Sequence, residues 1–127
     1  MEELTMGVEW LPVIVGAIAA FVVGWLWYSP MLFGKGWMAA VGLSEDNMGP
    51  MMPAMVSQAV GTFLLSWVIG LTATTDSLAL AILIALTIAV LIKAGGLWCN
   101  KGKYAIMVES GFILVMVAVM IATHAIL

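Results

Sequence analysis

Four apolar runs, each about as long as a membrane-crossing helix, dominate the hydrophobic pattern of the chain. They extend over Trp10 to Tyr28, Met51 to Thr74, Ser77 to Trp98, and Tyr104 to Leu127. A helix needs about 20 apolar residues to cross about 30 Å of hydrocarbon. The pattern therefore predicts an all-α integral membrane fold, a single four-helix transmembrane domain over residues 1–127. Its predicted spans are about 10–28, 51–74, 77–98 and 104–126.

The connections between the runs differ in length. Residues 72–76 and 99–103 form tight turns, which predict that the second and third helices, and the third and fourth, are antiparallel neighbours. The first connection is longer and opens with an aromatic segment. Pro30 cannot donate a backbone hydrogen bond, so the first helix should end near Tyr28, and Ser29 should cap a new helix. This short helix, about 30–41, is apolar enough to lie in the membrane interface.

Composition changes this picture mainly by excluding alternatives. The chain is 65% hydrophobic and 9% charged, whereas soluble domains carry about 25% charged residues. A soluble helical bundle is thereby excluded, and nothing points to a nucleic-acid partner; membrane lipids are the expected surroundings. The N-terminus opens with Glu2 and Glu3 rather than with the basic residues of a signal peptide, so we expect the first span to be retained.

The four lysines indicate an orientation. Lys35 lies in the first connection, Lys101 and Lys103 lie in the third, and Lys93 is near the third. The two termini and the second connection carry no Lys or Arg. The positive-inside rule then predicts that the lysine-bearing side faces the cytoplasm and that both termini are outside.

Small residues four positions apart predict where the helices touch, because helices in lipid associate through close packing. Such stripes occur on all four predicted spans: Gly16, Ala20 and Gly24; Ser57 and Gly61, beside Thr62, Ser66 and Gly70; Ala81, Ala85 and Ala89; and Gly111, Ala118 and Ala122. Since the second span has two stripes, one of them could serve another subunit; the alternative is that both pack within the chain. A chain with so little interior would conduct or transport only as a homo-oligomer.

Lys93 and Glu109 are the charged residues inside the predicted spans. Each lies eight residues from Lys101, so both would sit about 12 Å along their helices from the turn. Ionisable groups in a membrane usually face protein or water and pair with each other. We therefore predict a Lys93–Glu109 ion pair. It either locks the hairpin or forms a binding or proton-relay site; in a third interpretation Lys93 extends to the interface and no pair forms.

Polar uncharged residues of the second span form a further candidate surface. They are Ser57, Gln58, Thr62 and Ser66. Hydrogen bonding between helices is the ordinary role of such residues, and a polar pore lining is the alternative. Because this surface carries no charge, strong ion selectivity from it alone is not expected.

Other chemistry is weakly indicated. Glu9, Asp76 and His124 fall on the same side and could in principle hold a metal, although a solvated terminal histidine is the simpler interpretation. The single Cys99 excludes an intrachain disulfide and a cysteine-built zinc site. Phosphate-binding loops, zinc-protease motifs and nucleophile triads are absent from the sequence, so we expect neither an enzyme nor a cofactor or metal.

The aromatic segment carries a resemblance to a known family. Residues 27–37 read W-Y-S-P-M-L-F-G-K-G-W and are followed by Val41-Gly42-Leu43-Ser44. This string resembles the signature of a bacterial membrane family known as domain of unknown function 1761, which has similar length and four predicted spans. The signature positions are Trp27, Tyr28, Ser29, Pro30, Phe33, Gly34, Lys35 and Trp37, with Glu109 and Gly111 as further matches. The resemblance implies the architecture and a bacterial inner membrane, and no activity.

Small multidrug resistance transporters are similar in length and helix number. Their mechanism depends on a glutamate within the first helix, and this chain has none between Trp10 and Tyr28. Glu109 could play an analogous part. The sequence thus favours a small homo-oligomeric channel or transporter-like protein, in which Tyr28 and Lys35 could meet anionic headgroups or a solute. The alternative is a membrane scaffold, accessory or lipid-binding protein.

Overall fold

A computed structural model describes residues 4–28, 33–41 and 51–127, and these residues form five α-helices. They are α1 (Trp10–Trp27), α2 (Gly34–Val41), α3 (Met51–Thr74), α4 (Leu78–Trp98) and α5 (Lys103–Ile126). The helices α1, α4 and α5, and α3 from Met52 onward, are long and apolar enough to cross a membrane. The all-α fold with four transmembrane helices and a short helix between the first and second is confirmed. The start predicted for the short helix, at Pro30, lies outside the described residues.

Helix α5 lies at the centre of the bundle and contacts each of the other four helices. Its buried positions are mostly large: Ala105, Ile106, Val108, Phe112, Met116, Val117 and Met120. They pack against the small-residue stripes of α1 and α4, whose Gly16, Ala20, Gly24, Ala81, Ala85, Ala89 and Gly96 are buried. Close packing of large against small side chains stabilises helix pairs in lipid, where burial of apolar surface gives no driving force between helices.

The small residues of α5 do not form the contact surface that their spacing predicted. Ala118 and Ala122 are exposed, and Gly111 is only partly buried. The prediction of a small-residue face on this helix was wrong. The reason is that α5 supplies large side chains to small stripes on its neighbours, so Ala118 and Ala122 are turned outward.

Helix α3 packs mainly against α1 and makes little contact with α4, although the two are joined by a tight turn. The stripe Thr62, Ser66 and Gly70 is buried, as predicted, whereas Ser57 and Gly61 are exposed. Ser66 Oγ donates to the carbonyl of Val13 on α1 at 2.7 Å. The predicted contact between α3 and α4 is therefore present but small, because the polar stripe of α3 faces α1.

Candidate functional site

Glu109 lies in the second turn of α5 and is held by two other parts of the chain. The Lys101 ammonium contacts both carboxylate oxygens at 3.0 Å. The Trp37 indole N–H, on α2, donates to Oε2 at 2.8 Å. The carboxylate side chain is 15% exposed and that of Lys101 is 35% exposed. The first and third connections therefore meet at one end of the bundle, around one carboxylate.

The aromatic residues of the first connection pack against α5 around this carboxylate. We call the described residues 27, 28 and 33–37 the elbow. The Trp27 indole N–H donates to the carbonyl of Val108 at 3.0 Å. The Tyr28 ring lies 5.1 Å from that of Trp37 and 5.4 Å from that of Phe112, both edge-on. Aromatic pairs favour such edge-to-face arrangements, so the elbow contacts protein as well as any surrounding lipid.

Local backbone structure turns the chain from α1 into α2. The Tyr28 N–H caps α1 by donating to the carbonyl of Gly24, and the Phe33 N–H donates to that of Trp27 at 3.1 Å. The Phe33 ring packs against the Trp27 ring in a tilted arrangement, with 4.6 Å between centroids. Glycine fits closely at position 36, because a Cβ atom there would lie 2.5 Å from the Tyr104 ring and one of the two would have to shift. These contacts place Trp37 within reach of Glu109.

Tyr28 has an unusual electrostatic environment. Its pKa is raised above the ordinary value of a phenol, first because the side chain is buried and second because the Glu109 carboxylate is near. A buried phenol beside a carboxylate resists ionisation, since burial and the nearby negative charge both disfavour the phenolate anion. The phenol therefore remains a neutral, proton-bearing group at the mouth of the site.

The ion pair of Glu109 differs from the predicted one. Its partner is Lys101, whereas Lys93 is exposed and takes no part in the pair. Steps of four residues advance the position around a helix by about 40° each. Lys93 lies three such steps beyond Ala81 and is therefore rotated out of the face of α4 that packs in the bundle. The buried residue near the C-terminal end of α4 is Gly96. Lys101 was treated in the prediction only as the centre of the hairpin.

The elbow residues can be compared with the predicted set. Trp27, Tyr28, Phe33 and Trp37 surround or adjoin the Glu109 site, and Gly34 is buried. Ser29 and Pro30 lie outside the described residues, as does the side chain of Lys35. Phe112 and Tyr104, which complete the aromatic packing, were not predicted. The sequence offered one signal for them: on the predicted fourth span, Phe112 lies three residues after Glu109 and Tyr104 lies five residues before it.

The predicted polar surface of α3 is divided by the packing. Thr62 and Ser66 are buried and contact neighbouring helices, Thr62 through a 3.9 Å contact to the Met116 sulfur. Ser57 and Gln58 are exposed, and the Gln58 amide N–H donates to Thr62 Oγ1 at 3.1 Å. Half of the set thus joins helices within the chain, and half faces outward.

At the opposite end, Glu9, Asp76 and His124 line a common cavity. They do not form a metal centre: among the described residues no three His, Cys, Asp or Glu side chains are grouped so that they could hold a metal ion. His124 is not the solvated terminal residue of the simpler interpretation either, because its Nε2 is buried.

A family model described as "Protein of unknown function (DUF1761)" matches residues 11–125. No curated protein and no solved structure matches the chain. The match spans all four long helices, the elbow and the Glu109 site. The chain therefore belongs to the DUF1761 family of proteins of unknown function.

Proposed function

We propose that the protein forms a homo-oligomer that provides a channel or transport path between its protomers. The observation that carries this proposal is the first half of α3. Residues 52–61 are all exposed in the single chain. They include Ser57, Gln58 and Gly61, and a Cβ atom on Gly61 would meet nothing within 4 Å. This segment has the composition of a contact surface and is exposed along its length.

Hydrogen-bonding capacity argues against contact of this segment with lipid alone. The Gln58 side chain has two amide hydrogens and a carbonyl oxygen, and its bond to Thr62 uses one hydrogen. The remaining groups would be costly to leave unpaired in hydrocarbon. A second copy of the segment, or water between copies, would satisfy them.

The path is proposed between protomers because the interior of one protomer is packed. Its core contains Ala20, Ile69, Ala81, Ala85, Phe112, Met116, Val117 and Met120. The buried hydroxyl groups of Thr62 and Ser66 are engaged inside the chain. In this arrangement the Glu109 site anchors the elbow and closes the lysine-bearing end of each protomer.

Conductance of the purified protein in planar bilayers with potassium chloride tests the proposal. Gln58→Leu should reduce the current, since it removes the polar groups of the path, while leaving the oligomer intact. The matched control is Thr87→Val on α4, whose exposed hydroxyl donates to its own helix at Leu83, and it should conduct like the unmodified chain. Equal currents from both variants, or no current from any of them, would contradict the proposal.

A membrane scaffold or accessory protein is the second candidate. It is favoured by the engagement of Glu109 within the chain, to Lys101 and Trp37, which is the behaviour of a structural carboxylate. Glu109→Gln separates the two candidates. The scaffold is supported if Glu109→Gln lowers the thermal stability and the unmodified protein carries no current. The transport path is supported if the variant remains an intact, stable assembly but loses the current.

We also propose that the protein lies in the cytoplasmic membrane of a bacterium, with the lysine-bearing end inside and both termini outside. The lysine count and the family resemblance support this orientation. Cys99, in the α4–α5 connection, is the chain's one cysteine and is exposed. A membrane-impermeant maleimide should label it only after the cells are broken, and labelling of intact cells would reverse the assignment.

A further inference from the structure

We propose that the lipid-facing side of α4 around Lys93 binds the phosphate group of an anionic phospholipid. Lys93 lies within the membrane-spanning α4, and its side chain is exposed. Among the described residues it makes no ion pair and no hydrogen bond, and the carboxylate predicted to pair with it, Glu109, is held by Lys101 and Trp37. This inference does not depend on the proposed assembly through α3, because Lys93 lies on α4.

Exposed tryptophans mark the level of the membrane interface at this end of the bundle. Trp98 is the last residue of α4, Trp25 lies near the end of α1, and both side chains are largely exposed. Tryptophan rings favour the headgroup level. Lys93 lies five residues before Trp98, so its Cα atom is about 7.5 Å deeper along the helix. The flexible stem of lysine allows the ammonium to extend to the phosphate level while the Cα atom stays among the acyl chains.

The surface around Lys93 is apolar. Leu86, Val90 and Leu97 lie seven residues before, three residues before and four residues after it, so they share its side of the helix. All three side chains are exposed. A ligand on this surface therefore contacts hydrocarbon side chains along its length and an ammonium at one end, which matches the acyl chains and the phosphate of a phospholipid.

The charge balance of this end favours an anionic ligand. Among the side chains that the structure describes there, Lys93, Lys101 and Lys103 are cations, and Glu109 is the carboxylate. Glu109 is engaged by Lys101, which leaves Lys93 and Lys103 without an anion in the described part of the chain. Lys103 is the first residue of α5, next to the connection, where water solvates it. An ammonium within a membrane span is costly without a counter-ion, so Lys93 is the cation that gains most from a lipid phosphate.

Titration of the intact protein with one lipid at a time tests the site. The protein in mild detergent receives phosphatidylglycerol or phosphatidylcholine with identical acyl chains, and native mass spectrometry gives the dissociation constant of the first lipid bound per protomer. We expect phosphatidylglycerol to bind about tenfold more tightly, since the choline cation offsets the charge of its own phosphate. Excess inorganic phosphate should not displace the lipid, because the apolar surface holds the acyl chains. Equal affinities for the two lipids, or displacement by inorganic phosphate, would overturn the proposal.

Variants at position 93 separate a lipid site from a general attraction of anions to the lysine-bearing end. Lys93→Met should weaken phosphatidylglycerol binding about tenfold, as expected for a lost hydrogen bond between charged groups, and should leave phosphatidylcholine binding unchanged. Lys93→Arg retains the cation and should retain the preference. The matched control is Lys103→Met, which removes the same charge from an exposed side chain at the same end and should bind phosphatidylglycerol like the unmodified chain. Equal losses in the two methionine variants, or unchanged binding in Lys93→Met, would overturn the proposal.

The same spectra report the stoichiometry of the protein and therefore test the other possible partner of Lys93, a carboxylate of a second copy. Loss of phosphatidylglycerol binding from an assembly of unchanged stoichiometry supports the lipid site. Separation of the protomers in Lys93→Met, with unchanged lipid affinity, would assign Lys93 to a contact between copies and overturn the proposal.

Discussion

At the scale of single residues, the site depends on which lysine reaches Glu109 and on one indole N–H. The sequence made Glu109 conspicuous, because a carboxylate inside an apolar run must find a partner. It did not identify that partner, since Lys93 is expected at a similar depth on the neighbouring helix, whereas Lys101 lies in the connection eight residues before Glu109. Nor did it show that Trp37, from a separate connection, would donate to the same carboxylate.

Trp37→Phe should lower the free energy of unfolding by about 1 to 2 kcal/mol. The substitution keeps the ring beside Tyr28 and removes the hydrogen bond to a carboxylate, and such bonds contribute more than neutral ones. Thermal unfolding in mild detergent measures the change. Trp98→Phe is the matched control, because Trp98 is 89% exposed, and its effect should stay within about 0.5 kcal/mol. Equal losses of stability in the two variants would show that the hydrogen bond from Trp37 to Glu109 does not account for the effect.

Lys101→Met should destabilise the protein by about 1 kcal/mol, and Lys93→Met should not. The first leaves the Glu109 carboxylate without its cation, although the partial exposure of Lys101 moderates the loss. The second removes an exposed charge. The same thermal measurement compares them, and the reverse ranking would restore the pair predicted from the sequence.

Tyr28 makes the stability depend on pH in alkaline solution. Because its pKa is raised in the folded chain, the unfolded chain loses the phenol proton first, above about pH 10. Stability contributed by the neutral phenol is complete below that pH and declines above it. Tyr28→Phe should therefore lose less stability above pH 10 than the unmodified chain. Tyr104→Phe leaves Tyr28 in place and should retain the decline; a decline that Tyr28→Phe does not reduce would contradict the assignment.

At the scale of helices, the apolar runs were sufficient to predict the existence of every long helix, because length and hydropathy decide it. It was harder to predict from the sequence which helices pack closely. The stripes on α1 and α4 were identified, since small residues repeat at helical spacing, but α5 uses large residues such as Phe112 and Met120 to fill them. A pattern of large apolar residues in an apolar helix looks the same on its packed and lipid-facing sides.

Gly96→Ala should destabilise the α4–α5 hairpin by about 1 to 3 kcal/mol, and Gly95→Ala should not destabilise it. A Cβ at position 96 would lie 2.6 Å from Ile106 Cγ1, whereas at position 95 nothing lies within 4 Å. Overpacking a close contact forces side chains or backbone to shift, while alanine is otherwise the better helix former. Thermal unfolding of the two adjacent variants is the measurement. Similar stabilities would show that the two helices are not packed at this distance.

At the scale of the whole molecule, the two ends of the bundle are chemically different. The lysine-bearing end is closed by the elbow and the Glu109 ion pair, and the other end holds a cavity lined by Glu9, Asp76 and His124. The sequence predicted that Glu9, Asp76 and His124 share an end. It could not predict the cavity, because the cavity depends on how the N-terminal turn, the α3–α4 turn and the end of α5 pack together.

The first half of α3 is exposed in the single chain, and the proposed assembly depends on it. Native mass spectrometry of the protein released from nanodiscs measures the stoichiometry directly. We predict one closed oligomer for the unmodified chain and its loss in Gly61→Trp, which places a large ring on the open surface, while Gly95→Trp on the exposed face of α4 keeps the oligomer. A monomer for the unmodified chain, or an oligomer that survives Gly61→Trp unchanged, would contradict the proposed assembly through α3.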